Sequence, residues 1–309
     1  MATKIQIGKE AIEKKGWWQA YKWLILRRTS QISILLIFML VPLCHWMTPG
    51  SECHLGWIMK GNLSSSKLFD TIPMTDPLLL LQIVAAGFTH IAIEAVIGAF
   101  IVLAFYLLVG GRVYCSWVCP VNMVTDAAFW LRTKLKLVGG TRFSRNIRYW
   151  VLGMVLVLSA VTGSLAYELV NPVSMLHRGL FFGMGLGWLV IVGIFLFDLF
   201  MTRRGWCTHI CPMGAFYGLL GRLSPLKVRA DARDQCDDCG ECYIVCPEAQ
   251  IIKPVLKGKE KGVPAVILAG ECTNCGRCID VCAENVFHFG NRYQQETTKT
   301  HKVRPTTSS

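Results

Sequence analysis

Two runs of four cysteines near the C-terminal end constrain this chain more than any other feature. The runs share one spacing: Cys236-x-x-Cys239-x-x-Cys242-x-x-x-Cys246 and Cys272-x-x-Cys275-x-x-Cys278-x-x-x-Cys282. Three thiolates two residues apart can wrap three corners of a cubane 4Fe–4S cluster, and the fourth corner then faces away from them. In two-cluster proteins the fourth cysteine of each run ligates the other run's cluster. The spacing therefore predicts two 4Fe–4S clusters.

This rule divides the eight cysteines into two ligand sets. The first cluster is assigned Cys236, Cys239, Cys242 and Cys282, and the second is assigned Cys272, Cys275, Cys278 and Cys246. Gly240 and Gly276 follow the second cysteine of each run, where a turning backbone needs conformational freedom. Zinc also binds paired cysteines, but the repeated spacing favours iron and sulfur.

The composition indicates a membrane protein with a polar appendage. Hydrophobic residues make up 53% and charged residues 17% of the chain, and the mean hydropathy is +0.42. Four apolar runs, at about 31–46, within 78–109, at 149–170 and at 179–201, each approach the ~20 residues that a spanning helix needs. The formal net charge of +12 is interpreted as positive-inside loops. No nucleic-acid partner is expected.

The expected fold is an α-helical integral membrane protein of four transmembrane helices, arranged as two tandem two-helix repeats. A C-terminal α+β two-cluster bacterial ferredoxin domain follows. The expected divisions are a basic interfacial segment (1–30), the membrane domain (31–224), the ferredoxin domain (225–290) with short strands near 250–255 and 264–268, and a disordered tail (291–309). The positive-inside rule predicts a multi-pass protein of the bacterial inner membrane, with both termini and the ferredoxin domain cytoplasmic.

An internal repeat carries four more cysteines. Arg112-x-Tyr114-Cys115-x-x-x-Cys119-Pro120 matches Arg204-x-Trp206-Cys207-x-x-x-Cys211-Pro212, and the offset is 92 for both cysteine pairs (207 − 115 and 211 − 119). We hypothesise that Cys115, Cys119, Cys207 and Cys211 meet and hold a further iron–sulfur cluster. A disulfide, and simple packing of small apolar thiols, remain open alternatives.

Two ionisable residues within the second apolar run are candidates for a quinol site. His90 and Glu94 are four residues apart and would share one helix face, where they could accept hydrogen bonds and protons from a quinol. The alternative is a buried pair that only fixes helix packing. Cys44 and Cys53 could form a disulfide or stay separate thiols, and both options stay open.

The cysteine motifs and several further segments resemble one family along the length of the chain. The segments include Gly16-Trp17-Trp18, Gly61-Asn62-Leu63-Ser64-Ser65-Ser66, Cys115-Ser116-Trp117-Val118-Cys119-Pro120, Asn171-Pro172-Val173-Ser174 and Gly205-Trp206-Cys207. Together they resemble the NapH-type membrane ferredoxin subunit of periplasmic nitrate reductase systems. Ala283 departs from the proline often found after the last ferredoxin cysteine, which concerns the local turn rather than cluster binding.

The resemblance implies a quinol dehydrogenase component that acts only within a complex. Electrons would pass from the membrane quinol pool to a periplasmic iron–sulfur partner of the NapG type, and on towards cytochrome c subunits and nitrate reductase. The alternative is an iron–sulfur assembly or maturation factor for a respiratory metalloenzyme, since related polyferredoxins share the cysteine motifs. A redox-sensing regulator is disfavoured, because the chain has no recognisable output domain.

Overall fold

Two units that alternate along the sequence make up the fold. The structure is a computed structural model, and it describes residues 7–47, 59–69, 71–88, 92–137, 140–141, 143–182, 185 and 187–294. The larger unit comprises residues Ile25–Ser224 and Ala269–Cys275. The smaller unit comprises Met1–Leu24, Pro225–Leu268 and Gly276–Ser309.

The elements that precede the ferredoxin region are mainly helical. In chain order they are α1 (Lys9–Lys15), α2 (Trp17–Met47), β1 (Met59–Gly61), β2 (Ser65–Leu68), β3 (Ile72–Thr75), α3 (Pro77–Ala85), α4 (Ile93–Val109), α5 (Val113–Trp117), α6 (Val121–Lys134), α7 (Ile147–Thr162), α8 (Pro172–Phe182), α9 (Gly187–Phe200), a π-helical turn (Trp206–Ile210) and α10 (Pro212–Gly221). Strands β1, β2 and β3 form an antiparallel sheet in that order.

Local sequence signals fix where the elements of the larger unit begin. Asp76 caps α3, since its side chain accepts a hydrogen bond from the Leu78 N–H, and Pro77 occupies the first helical position, where its missing N–H costs nothing. The Asn62 side chain accepts the N–H groups of Ser64 and Ser65, which closes the turn between β1 and β2. These turns lead the chain back onto one apolar core.

That core is built where helices from both sequence repeats meet. Helix α6 packs on α9, and α10 packs on α7 and α4. The core centres on buried side chains of these helices and of the turns between them, among them Leu78, Tyr106, Tyr114, Leu152, Ile194 and Tyr217. The cysteine motifs lie against this core, because Cys119 is itself one of its members.

The prediction of a four-span membrane protein is wrong, and so is its placement in the inner membrane. Among the described residues, no helix combines the length and the apolar character that crossing a membrane requires. The expected second span is divided into α3 and α4, and α4 has 17 residues, or about 25 Å at the α-helical rise, against a hydrocarbon core of ~30 Å. Helix α7 has 16 residues and α9 has 14.

Glycines account for two of these early helix ends. Gly87 has φ +77° just beyond α3, and Gly163 caps α7 in the left-handed conformation at φ +62°, which side chains with a Cβ disfavour. Helix α2 is longer, with 31 residues, and the side chains of its last eight residues, 40–47, lie outside the described ones. The second, third and fourth apolar runs of the sequence therefore do not correspond to single spanning helices.

The smaller unit joins a two-stranded sheet to short helices. Strands β4 (Leu226–Arg229) and β5 (His288–Asn291) are antiparallel, with Leu226 opposite Asn291. Helix α11 (Glu241–Val245) packs on α13 (Arg277–Val281). The strand predicted near 250–255 is wrong: a 3₁₀ turn (Ala249–Ile251) and α12 (Ile252–Lys257) occupy it. The segment 264–268 contributes one isolated bridge, between Val266 and Arg229.

Candidate iron–sulfur sites

The four repeat cysteines line one cavity in the larger unit. The cavity measures about 360 Å³, part of which is open to solvent, and its lining includes Cys115, Cys119, Cys207 and Cys211. Its remaining wall is mostly apolar and aromatic, with Tyr114, Val121, Tyr167, Pro172, Val173, Trp206 and Met213. Residues 92 positions apart in the sequence are thus brought to a single site.

Irregular helical turns present these thiols to the cavity. Cys115 lies in α5, and Cys119 follows the end of α5, with its N–H donating to the Tyr114 carbonyl at 3.0 Å. Cys207 lies in the π-helical turn, and Cys211 is the N-cap residue of α10. Both motifs therefore use short, distorted turns rather than one regular helix face, and π turns are frequent at functional sites.

Burial dominates the electrostatics of the four thiols. It raises the pKa of Cys115 to about 11, although the neighbouring Arg112 guanidinium opposes the shift. Burial likewise raises the pKa values of Cys119, Cys207 and Cys211, and thiolate neighbours add to the effect at Cys119 and Cys207. Four such thiols ionise only when a bound cation offsets their charge, as iron does. The donor set and the enclosed cavity fit an iron–sulfur cluster.

Polar contacts fix the part of the cavity wall that includes Tyr167. Tyr167, whose hydroxyl lies 3.9 Å from the Cys211 Sγ, has its backbone N–H bonded to the Gln82 side chain at 3.0 Å. The neighbouring carboxylate of Glu168 accepts hydrogen bonds from the hydroxyls of Ser64 and Ser174. Two segments that carry the family resemblance, 61–66 and 171–174, therefore meet beside the cavity.

Arginines and two aspartates organise the turns that carry the motifs. Asp126 on α6 forms ion pairs with Arg28 and, at 3.0 Å, with Arg204. Asp198 accepts the backbone N–H of Trp206 at 3.0 Å, just before Cys207, and burial raises the pKa of Asp198 to about 7. These contacts fix the second motif against α6 and α9.

The four ligands predicted for the first ferredoxin cluster are neighbours in the smaller unit. Burial, together with the nearby thiolates of Cys239, Cys282 and Cys236, raises the pKa of Cys242 to about 12. Such mutual electrostatic effects require the four sulfur atoms to be close together. Packing of α11 on α13 brings Cys282 to the first run.

The second run is divided between the units. Cys272 and Cys275 belong to the larger unit, while Cys246, Cys278 and Cys282 belong to the smaller one. Cys275 and Cys278 are buried, and the Cys272 thiol donates to the Asn274 side chain at 3.4 Å. The assignment of Cys272, Cys275, Cys278 and Cys246 to one cluster stays a prediction from the spacing.

The N-terminal segment packs on the ferredoxin helices, which the sequence analysis missed. The Asp280 carboxylate accepts the backbone N–H groups of Trp23 at 3.1 Å and Leu24 at 2.9 Å. The Trp23 ring packs edge-on against Phe289, with centroids 4.7 Å apart, and the Gly8 N–H donates to Glu241 at 2.9 Å. The basic and tryptophan-rich composition of this segment gave no signal for these contacts.

The structure places only one of the two residues of the predicted quinol site. Glu94 lies in the first turn of α4, with 63% of its side chain exposed, and it forms an ion pair with Lys67 at 2.6 Å. His90 and Cys53 lie outside the described residues, and so does the side chain of Cys44. The quinol site and the Cys44–Cys53 pairing therefore stay predictions.

Comparison with known families supports iron–sulfur chemistry at both kinds of site. Residues 91–137 match a 4Fe–4S binding domain. Residues 235–286 and residues 203–252 each match a 4Fe–4S dicluster domain. The protein is therefore an iron–sulfur electron-transfer protein of the ferredoxin type, which overturns the zinc alternative. No solved structure matches the chain.

Full-length relatives define the family more narrowly. The methylamine utilization ferredoxin-type protein MauN of Paracoccus denitrificans is 50% identical over 91% of this chain and 95% of its own length. The ferredoxin-type protein NapH of Escherichia coli is 45% identical over 94% of this chain and 96% of its own, and NapH of Haemophilus influenzae is 47% identical over 93% and 96%. The chain belongs to the NapH and MauN family of ferredoxin-type proteins.

Proposed function

We propose that this protein transfers electrons from quinol through three 4Fe–4S clusters to an iron–sulfur partner of the NapG type in nitrate respiration. The cavity lined by Cys115, Cys119, Cys207 and Cys211 carries the proposal. An electron carrier needs closely spaced redox centres, and this cavity adds a centre to the two that the ferredoxin cysteines provide. When bound, each cluster takes up and releases single electrons.

Twelve cysteines of this chain form the three proposed ligand sets. The four repeat cysteines hold the additional cluster, and two sets of four ferredoxin cysteines hold the other two, as the spacing predicts. The apolar and aromatic cavity wall excludes water, and burial and hydrogen bonds to the sulfur atoms adjust the redox potential of such a site. The match of residues 91–137 to a 4Fe–4S binding domain supports the assignment of Cys115 and Cys119 as ligands.

An iron determination tests the number of clusters. The wild-type protein, purified anaerobically, is expected to hold about twelve irons rather than about eight. Cys119→Ser and Cys211→Ser are each expected to lose about four irons. Thr208→Ser is the matched control, since Thr208 is a buried residue of the same π-helical turn but supplies no thiol. A wild-type content near eight irons, unchanged in Cys119→Ser, refutes the third cluster.

His90 and Glu94 are retained as the proposed quinol site. Anaerobic EPR of the chemically reduced protein, before and after a menaquinone analogue is added, measures whether electrons pass between clusters and quinone. We expect the cluster signals of the wild-type protein to disappear when the analogue is added, and to disappear more slowly in His90→Ala and Glu94→Gln. Glu13→Gln is the control, because Glu13 is also an exposed carboxylate that forms an ion pair with a lysine. Equal rates in all variants exclude these two residues from the quinol site.

The MauN relatives favour a second candidate pathway. The MauN proteins are named for methylamine utilization, and the Paracoccus protein is 50% identical to this chain, so transfer of electrons in that process is the alternative to nitrate respiration. Deletion of the gene distinguishes the two, because only one of nitrate-dependent and methylamine-dependent growth would be lost. If cluster reduction is unaffected by quinone while a partner enzyme lacks its metal centre, the maturation role gains the support instead.

A further inference from the structure

One short segment of the second ferredoxin run is bound directly to the first cysteine motif. Arg112 Nη1 donates to the Glu271 carbonyl at 2.9 Å, Ser116 Oγ donates to the Thr273 carbonyl at 2.8 Å, and Trp117 Nε1 donates to the Asn274 carbonyl at 3.1 Å. These contacts lie within the larger unit. They attach the residues around Cys272 to the turn that carries Cys115.

Arg112 also reaches the second cysteine motif. Its Nη2 donates to the Cys207 carbonyl at 2.9 Å, and its positive charge opposes the rise in the pKa of Cys115. The side chain is buried, with 1% of the residue exposed. One guanidinium therefore contacts both halves of the four-cysteine site and the segment next to Cys272, in the fork geometry that lysine cannot reproduce.

The backbone is shaped for this close approach. Gly110 has φ +128°, and a Cβ added there would lie 2.5 Å from the Asn274 amide nitrogen. That amide nitrogen donates to the Val109 carbonyl at 3.3 Å. A side chain at position 110 would push residues 271–274 away from α5, so the glycine is required by the contact itself.

The repeat supplies an internal comparison. Arg204 occupies the position equivalent to Arg112, yet it forms an ion pair with Asp126 at 3.0 Å and lies over the Phe129 ring at 4.5 Å. The two arginines occupy equivalent positions in the repeat but make different contacts, and the contact with Glu271 belongs to Arg112.

We propose that Arg112 and residues 271–274 form the electron contact between the four-cysteine centre and the cluster bound through Cys272 and Cys275. This inference rests on the proposed function. One electron is exchanged, so the donor centre is oxidised, the acceptor centre is reduced, and no covalent bond or proton moves. Arg112 acts as a positioning residue that also places a fixed positive charge beside the four-cysteine centre.

The charge has a predictable effect on the redox equilibrium. Reduction adds negative charge to a buried site, and a nearby cation stabilises that charge. Removing the cation in Arg112→Gln is expected to disfavour reduction of the four-cysteine centre about tenfold, which is a shift of about 59 mV to lower potential for a one-electron couple. Arg112→Lys keeps the charge and is expected to keep the potential, but it loses the simultaneous contact with Cys207 and Glu271.

The experiment combines iron content, redox titration and EPR of the dithionite-reduced protein, in which magnetic interaction between neighbouring reduced clusters broadens the signals. Arg112→Gln should lower the potential, while Arg112→Lys and Ser116→Ala should weaken the magnetic interaction at unchanged potential. Arg229→Lys is the matched control and should alter neither quantity, because Arg229 is also a buried arginine that donates to two backbone carbonyls, those of Asn291 and Gln294. If Arg112→Gln fails to bind iron, the magnetic interaction in Ser116→Ala and Arg112→Lys tests the proposal instead.

Each outcome separates the inference from the function on which it rests. About eight irons in the wild-type protein refute the third cluster and the inference with it. About twelve irons, with potentials and magnetic interactions that are the same in the Arg112 and Ser116 variants as in Arg229→Lys, refute the inference alone.

Discussion

Gly276 and Gly240 allow a sharp test of how the N-terminal segment stabilises the ferredoxin region. Both glycines follow the second cysteine of a run, and both are left-handed, with φ +72° and +77°. At Gly240 no heavy atom lies within 4 Å of an added Cβ, whereas at Gly276 that atom would lie 2.5 Å from the Trp23 Cγ. The two alanine variants thus share one backbone cost and differ in one steric contact.

The magnitudes follow from this difference. A left-handed alanine costs roughly 1–2 kcal/mol, which is the whole expected loss for Gly240→Ala. Carbon atoms in contact normally lie ~3.5–4.0 Å apart, so the Cβ at position 276 overlaps Trp23 by more than about 1 Å. Overpacking adds ~1–3 kcal/mol, and Gly276→Ala should therefore lose roughly 2–5 kcal/mol in total.

Guanidinium unfolding under anaerobic conditions, followed by the visible absorbance of the bound clusters, measures both losses. Adding Trp23→Ala completes a double-mutant cycle, since it removes the ring that the new Cβ meets. The Gly276→Ala and Trp23→Ala double variant should lose less free energy of unfolding than the sum of the single variants. Equal losses for the two glycine variants, or strict additivity in the cycle, contradict the packing of the N-terminal helix on Gly276.

Three further outcomes are expected. Burial raises the pKa of Asp76 from 3.8 to about 6, so the free energy of unfolding should fall by up to about 3 kcal/mol as pH rises between about 4 and 6. Asp76→Asn keeps the helix cap and should remove this slope from a series of unfolding midpoints. Asp126→Asn leaves two arginines without their shared carboxylate and should cost about 3 kcal/mol, whereas Glu13→Gln on an exposed pair should leave the midpoint unchanged. Cys282→Ser should lose about four irons and the EPR signal of the cluster bound by Cys236, Cys239 and Cys242, while the cluster bound by Cys272, Cys275 and Cys278 stays visible. An unaltered iron content, or loss of the second cluster instead of the first, refutes the crossed ligand assignment.

The chemistry of the site was accessible from the sequence because it depends on spacing. The Cys-x-x-x-Cys-Pro motif and its repeat at an offset of 92 are patterns in the sequence itself, and they identified the four cysteines that line the cavity. The role of Arg112 was not accessible. Its carbonyl partners lie 95 and 159 residues away, and backbone carbonyls carry no sequence signal, since every residue has one.

The fold was less accessible, because hydropathy reports apolar content and not where a helix ends. The run 78–109 reads as one apolar stretch, but Gly87 follows its first helix at a positive φ, and the same residues form two separate helices. The contacts of the N-terminal segment were missed for another reason. Its tryptophans and lysines suit a lipid interface, yet Asp280 satisfies the Trp23 and Leu24 N–H groups, a long-range contact that composition does not encode.

The alternation of the two units along the chain has a consequence for synthesis on the ribosome. The smaller unit needs residues 1–24 and residues beyond 224, while the larger unit takes residues 269–275 from within the last fifth of the chain. Chains emerge from the N-terminus, and domains generally fold as they become complete. Neither unit here can finish folding until that late segment has emerged, so the first helices must wait, and a cut made between residues 224 and 225 would leave both products incomplete.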